Sequence, residues 1–225
     1  MTKYSHPKIL ELYSDVCSCC SEICKTFPEI YNKPQLGSPP RGFFTEAAGT
    51  VEILVVGKNP GHVLPSEAEK YKNLNGVDLV NAHLNFSNST FFQTNQLNTQ
   101  ETRSTIFHSN LSSYLMEILG SEKEDIFKKC AYTNLVKCST TDNEQKKLSM
   151  RSMHECFKTH LSKEIKFFKP RIILALGREV ERYLLKVQDI PCPIAYVKHP
   201  SYHYKKELRA EKIKGIKNLY EKTFI

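Results

Sequence analysis

Apolar positions along the chain switch repeatedly between a helical spacing and short unbroken runs. Ile9, Leu12 and Val16 lie on one helical face, so residues 7–24 are predicted to form a helix. Residues 25–50 hold Pro28, Pro34, Gly37, Pro39 and Pro40 and read as an extended loop. Val51-Glu-Ile-Leu-Val-Val-Gly57 follows, a β-branched run closed by glycine, as expected of a strand buried on both faces. Residues 62–104 are rich in Asn, Ser, Thr and Gln without a firm period, and predict a long loop with short helical pieces. Phe107, Leu111, Tyr114, Leu115 and Ile118 then mark one face of a helix over 105–119, stopped by Gly120.

The strand pattern returns in Cys130-Ala-Tyr-Thr-Asn-Leu-Val136, Arg171-Ile-Ile-Leu-Ala-Leu-Gly177 and Pro193-Ile-Ala-Tyr-Val197. Helices are predicted at 148–168 and 178–187 between these runs, and a basic helix at 203–223 after them. Strands alternating with helices predict an α/β fold, a three-layer α/β/α sandwich around a mainly parallel, four-stranded sheet. Without a repeat or a linker, residues 1–225 read as one domain carrying a polar insertion at about 62–104.

In such a sheet a ligand binds beyond the carboxyl ends of the strands. Four groups fall there: Gly57-Lys-Asn-Pro-Gly61, Asn134, Gly177-Arg178 and His199-Pro-Ser201. Each alone is a weak signal, since a glycine turn, a strand-end Asn or a His before Pro is common in structural roles. Their placement on one edge is what points to a site for a small planar ligand. The chain has no GxGxxG or GxxxxGK[ST] loop and no HExxH or GxSxG motif, which argues against nucleotide-loop enzymes, zinc peptidases and ordinary serine hydrolases.

Composition narrows the class further. A hydrophobic share of 40% with 10% aromatics excludes a disordered chain. No apolar run approaches the ~18 residues of a membrane span. The N-terminal MTKYSHPKIL lacks the apolar segment of a secretory signal, so a soluble, cytoplasmic protein is expected. A net charge of +8, with Lys198, Lys205, Lys206, Arg209, Lys212 and Lys214 crowded near His199, suggests an anionic partner such as nucleic acid.

Eight cysteines are many for a reducing compartment. Cys17, Cys19, Cys20 and Cys24 cluster at the end of the first helix, while Cys130, Cys138, Cys156 and Cys192 are scattered. A tight group plus distant single cysteines suggests a metal or iron–sulfur site assembled from separate segments. Cys130 and Cys192 read instead as small buried hydrophobes.

Ile53-Leu-Val-Val-Gly-Lys-Asn-Pro-Gly61 resembles the first motif of uracil-DNA glycosylases, and Lys198-His-Pro-Ser-Tyr202 resembles their second. Thr133-Asn-Leu-Val-Lys-Cys138, Cys156 and Pro170-Arg-Ile-Ile-Leu-Ala-Leu-Gly177 resemble the iron–sulfur, family 4-like branch, and the five segments run in order from about residue 9 to 205. There are departures. That branch usually has an acidic residue where Lys58 stands, and Lys58-Asn59 is more like the mismatch-specific and single-strand-selective branches. The cysteine pair is either Cys17 with Cys20 or Cys20 with Cys24, to be joined by Cys138 and Cys156 around a structural 4Fe-4S cluster.

The resemblance implies a monofunctional, base-flipping hydrolase of the uracil N-glycosidic bond in base-excision repair. In it Asn134 would read the edge of the base and Phe107 would stack on its face. His199 would stabilise the departing uracil anion, and Asn59 would orient the attacking water. Gly57, Lys58, Pro60, Gly61, Pro200 and Ser201 would line the base and its flanking phosphates, with Tyr202 or His203 filling the gap left in the duplex. The implied partner is DNA containing a damaged base, engaged by a monomer. Two other readings stand beside this one: a glycosylase for hypoxanthine, xanthine or mismatched thymine, and a nucleic-acid-binding member of the fold that has lost catalysis.

Overall fold

The β-branched run after residue 50 forms the central strand, β3 (Ile53–Gly57), with all five residues buried. The structure is a computed structural model that describes residues 6–18, 27, 30–31, 42–61, 69, 71–92, 102–122, 125–140, 148–202 and 205–224. The strands before β3 are β1 (Ile30–Tyr31) and β2 (Phe44–Thr45), and those after it are β4 (Cys130–Asn134), β5 (Ser139–Thr140), β6 (Ile172–Leu176) and β7 (Ile194–Val197). The main sheet has the order β2-β4-β3-β6-β7, and β1 pairs separately with β5. β4, β3, β6 and β7 are mutually parallel, as expected, whereas β2 joins the outer side of β4 antiparallel. Among the described residues the sheet therefore has five strands rather than four. The added strand is only two residues long, too short to leave a periodic signal in a proline-rich stretch.

Helices cover both faces. On one side lie α1 (Pro7–Ser18), α2 (Gly76–Phe92), α5 (Met150–Cys156), α6 (Ser162–Phe168) and α7 (Arg178–Leu184). On the other lie α3 (Thr102–Leu119) and α8 (Lys206–Glu221), with the single turn α4 (Ile126–Lys129) leading into β4. Because strand side chains alternate, Leu54 and Val56 enter the first core while Ile53 and Val55 enter the second. α2 lies inside the region expected to be mostly loop. Its buried face carries Asn81 and His83 beside Val80 and Leu84, and Tyr71 packs on the His83 ring at 3.9 Å, so polar residues conceal a core-facing stripe. Between α5 and α6, residues Phe157–Leu161 form a wide π-helical turn in which the Ser162 N–H reaches the Phe157 carbonyl.

A charged pair lies inside the first core. Lys137 and Glu164 have side chains 1% and 0% exposed and meet at 2.6 Å. Lys137 Nζ also donates to the Asn134 carbonyl at 2.7 Å and to Thr133 Oγ1, while the Thr133 hydroxyl donates to Glu164 at 2.8 Å. Burial pushes the Lys137 ammonium down, and the facing Glu164 carboxylate opposes that shift. The same surroundings push the Tyr13 phenol well up, by burial first and then by Glu164. Such a pair is costly to form and far costlier to leave half made. Lys137→Met or Glu164→Gln alone is expected to lower stability by about 3–5 kcal/mol. The double variant should lose clearly less than the sum, as read from urea unfolding midpoints; simple additivity would contradict this pairing.

Candidate active site

The parallel strands deliver their carboxyl ends to one edge. Gly57 of β3 stands in register with Asn134 of β4, and the ladder continues past both strands through Leu135 N–H to Gly57 O at 2.8 Å and Val136 N–H to Lys58 O at 2.9 Å. Gly177 N–H donates to Val197 O at 2.9 Å, so β6 and β7 end together, and His199 follows two residues later. β4 and β7 flank the inner pair, three strand spacings apart, or roughly 14 Å between backbones.

Asn134 is 1% exposed, and its amide is gripped from several directions. Nδ2 donates to the Gly42 carbonyl at 2.8 Å, and Oδ1 accepts from the Tyr132 hydroxyl at 3.1 Å. The fit excludes any side chain at the neighbouring glycines. A Cβ on Gly57 would strike Asn134 Oδ1 and the Tyr132 hydroxyl, and one on Gly42 would strike Asn134 Nδ2. Gly42 also has φ +84°, a conformation that glycine adopts freely. β2 holds it there. Phe43 stacks on Tyr13 at 3.7 Å on one side of the sheet, and Phe44 stacks on Tyr132 at 4.6 Å on the other.

Phe107 joins the two ends of the site. Its ring meets Tyr132 edge-on at 5.8 Å and His199 at 5.3 Å, so the half-buried phenyl stands between the Asn134 side and the His199 side. In the loop after β7, the Ser201 N–H donates to His199 Nδ1 at 3.3 Å. An Nδ1 that accepts is unprotonated, which leaves the ring proton on Nε2. Burial lowers the His199 pKa from its ordinary 6.5, which also favours the neutral ring. The loop is tied to α3 by Asn110 Nδ2, which donates to the Pro200 carbonyl at 2.7 Å.

The remaining residues singled out in the sequence divide between this edge and elsewhere. Asn59 is half-buried and donates from Nδ2 to the Pro60 carbonyl at 3.1 Å. Pro60 is buried, and Gly61 is exposed with its carbonyl held by Ser139 Oγ at 2.7 Å. Lys58 is paired with Glu179 at 2.8 Å. Pro200 is buried, Ser201 is exposed, and Tyr202 projects beside His199, 56% exposed. The basic crowd is partly internal. Arg209 is held by Glu117 and Ser113, and both Lys212, at 5.1 Å, and Arg178, at 4.5 Å, lie over the Tyr196 ring. Lys198, Lys205, Lys206 and Lys214 are exposed.

Cys138 and Cys156 are each 5% exposed, and Cys17 packs against the same cluster, where burial pushes its thiol up to about 12. Cys20, Cys24 and His203 lie outside the described residues. Among the described residues no three His, Cys, Asp or Glu side chains converge closely enough to hold a metal ion. Cys130 is buried in the opposite core, and Cys192 is half-buried at the rim of the first.

This edge can be set beside known proteins. The family model described as Uracil DNA glycosylase superfamily matches residues 44–220, more than three quarters of the chain. The chain belongs to that superfamily. Membership points to a DNA glycosylase, a DNA-binding hydrolase of N-glycosyl bonds acting in DNA repair. Among curated proteins, none matches the chain. No described helix is long and apolar enough to cross a membrane.

Four residues of this superfamily edge were not found by motif: Tyr132, Gly42, Phe44 and Asn110. Tyr132 carries a usable signal, since it lies two positions before Asn134 and so on the same strand face. Gly42, Phe44 and Asn110 carry none, because their partners are distant in sequence. Asn110→Ala is expected to cost only about 1 kcal/mol in stability. The loss of the Pro200 anchor should nonetheless lower base release by about 10-fold, since small misplacements of a reacting group are expensive. Unchanged single-turnover rates would show that the loop holds itself.

Proposed function

We propose that the chain is a DNA glycosylase that flips uracil out of DNA and hydrolyses its N-glycosidic bond. One observation carries this reading: the Asn134 amide, the Phe107 ring and the His199 imidazole share one sheet edge, linked through Tyr132. Extruding the base costs a few kcal/mol and delivers its Watson–Crick edge to the protein. Asn134 donates from Nδ2 to O4 and accepts N3–H on Oδ1. Phe107 covers a face of the ring. A base with the wrong edge leaves those buried groups unpaired, at about 1–3 kcal/mol each.

As the bond breaks, the sugar becomes cationic and the pyrimidine leaves as an anion. His199 donates Nε2–H to O2 of that anion, a fixed donor aimed at charge that develops in the transition state. Its neutral form serves this task, in keeping with the Ser201 N–H on Nδ1. Asn59 is too weak a base to take a proton. With Nδ2 directed at the Pro60 carbonyl, its Oδ1 orients the attacking water. The exposed Ser201 hydroxyl donates to a flanking phosphate, and Lys198, Lys205 and Lys206 supply charge around it. Tyr202 fills the gap in the stack. Lys58 is turned toward Glu179, so a phosphate that recruits it must compete with that carboxylate.

We also propose that Cys17, Cys138, Cys156 and one of Cys20 or Cys24 hold a 4Fe-4S cluster, whose contribution is to folding. The support is that Cys138 and Cys156 are buried in one core against which the partly buried Cys17 packs, and that all three are of the soft donor type such clusters take. Cys138→Ala or Cys156→Ala should lower soluble yield and remove absorbance near ~400 nm. A colourless, iron-free and equally stable wild type would overturn it.

The activity is tested by incubating the protein with oligonucleotides carrying uracil, hypoxanthine, xanthine or a thymine mismatch and cleaving abasic sites with alkali. Uracil should be released, and His199→Ala and Asn59→Ala should each slow release by about 10²–10³-fold. Preferred release of another base moves the specificity, and no release from any of them leaves a binding protein. The acid limb of kcat/KM is set by protonation of His199. Because burial lowers that pKa, the rate should stay level as pH falls through 6.5 and decline only below it. A rate that rises with protonation around 6.5 would assign the imidazolium instead.

A further inference from the structure

We propose that the flank formed by α5 and α7 is a docking site for an acidic peptide segment of a partner protein, anchored there by an apolar side chain. A pocket of about 560 Å³ opens on this flank, a volume typical of ligand-binding clefts. Leu148, Met153 and Tyr183 form its floor, and all three are buried members of the first core. Met150 also lines the pocket and is 53% exposed, so an unbranched thioether able to reshape itself around an incoming apolar group is left in water. α5 and α7 cover the face of the sheet opposite Phe107 and α3, which separates this pocket from the candidate active site.

The rim of the pocket is basic. Arg178, Arg182 and Lys186 line it against one carboxylate, Glu179, which Lys58 already meets at 2.8 Å. Arg178 is engaged as well, with Glu181 at 3.3 Å and with the Tyr196 ring at 4.5 Å. Arg182 and Lys186 are exposed and make no ion pair among the described residues. Two unpaired cations beside an apolar floor are complementary to carboxylates grouped around an apolar side chain. A DNA strand fits this flank less well. The one polar atom of the floor, the Tyr183 hydroxyl, faces His154 Nδ1 at 3.4 Å, and the Tyr183 ring, 4% exposed, has no free face on which a base could stack. A peptide laid across Arg182 and Lys186 instead seats its apolar side chain between Met150 and Met153, the mode by which grooves take amphipathic segments.

The chain has four methionines, so 13C-methyl labelling of methionine in the full chain reads the pocket directly. Met150→Leu and Met153→Leu assign the two signals at the site, and Met116, packed against the second core, is the internal reference. The probe is a blocked synthetic peptide of Asp and Glu residues around one Leu-Phe pair. It should shift the Met150 and Met153 methyls and leave Met116 in place, with weaker binding as salt rises. Replacing Leu-Phe by Ser-Ser, or the acids by Asn and Gln, should each weaken binding about 10-fold. The double variant Arg182→Glu with Lys186→Glu, its fold checked by an unmoved Met116 signal, should lose about as much. Methyls that stay put under excess peptide, or a double variant that binds as the wild type does, overturn the proposal. An unpaired thymidine oligonucleotide is the rival probe: if it moves the Met150 and Met153 methyls at lower concentration than the peptide, the flank belongs to a DNA strand and the proposal fails. Uracil release enters none of these readings, so they are independent of the activity proposed above.

Discussion

The buried Lys137–Glu164 ion pair fixes the last turn of β4, and the rest of the edge is set out from that turn. Lys137 reaches back to the carbonyl of Asn134 and to the hydroxyl of Thr133, so one ammonium closes the loop just beyond the strand. Glu164 comes from α6, on the far side of the first core, and carries the position of that helix into the sheet edge. Apolar residues at these two places would fill the space at lower cost. They could not bind a strand-end carbonyl, which is the contact that aims the following side chains. Register does the remainder: β4 sets Gly57 opposite Asn134, and β3 passes the alignment to β6 and β7.

From this anchored turn the site extends through rings rather than charges. Tyr132, Phe107 and His199 form a continuous path of aromatic contacts across the second core face, with Phe44 closing one end. α3 contributes twice from neighbouring turns, placing Phe107 against the imidazole and Asn110 against the Pro200 carbonyl. A single helix thereby sets both the wall of the site and the loop that bears its histidine. Ionic groups stay at the margin, where Lys58 meets Glu179 and Arg209 meets Glu117. Such an interior suits a neutral, planar ligand whose polar edge is read by a few aligned groups.

The parts legible in the sequence were those with a periodic or local signature. The four parallel strands announce themselves as short, mostly apolar runs, and their carboxyl ends point to Gly57, Asn134 and His199. β2 escaped because two residues have no period, and with it went Gly42, whose carbonyl matters only through a residue far along the chain. α2 escaped because its buried Asn81 and His83 break the apolar stripe. Lys137 and Glu164 escaped for a different reason: charged residues are almost always solvated, and nothing local distinguishes a buried pair from a surface one. Charge counted by sequence position also misled in part, since Arg209 is spent on holding α8 to α3.

The wide turn at Phe157–Leu161 has a geometric consequence for what the two halves of its helix can share. Cys156 and Glu164 are eight positions apart, which in a regular α-helix would point them about 80° away from each other. A π-type turn absorbs one residue without advancing the spiral, so eight positions behave like seven, almost two whole turns. Cys156 and Glu164 accordingly face the same interior, along with His160, which the turn itself carries inward and which burial drives down to about 3. The irregularity acts as a phase corrector, letting a sulfur and a carboxylate on successive stretches of one rod address a common neighbourhood.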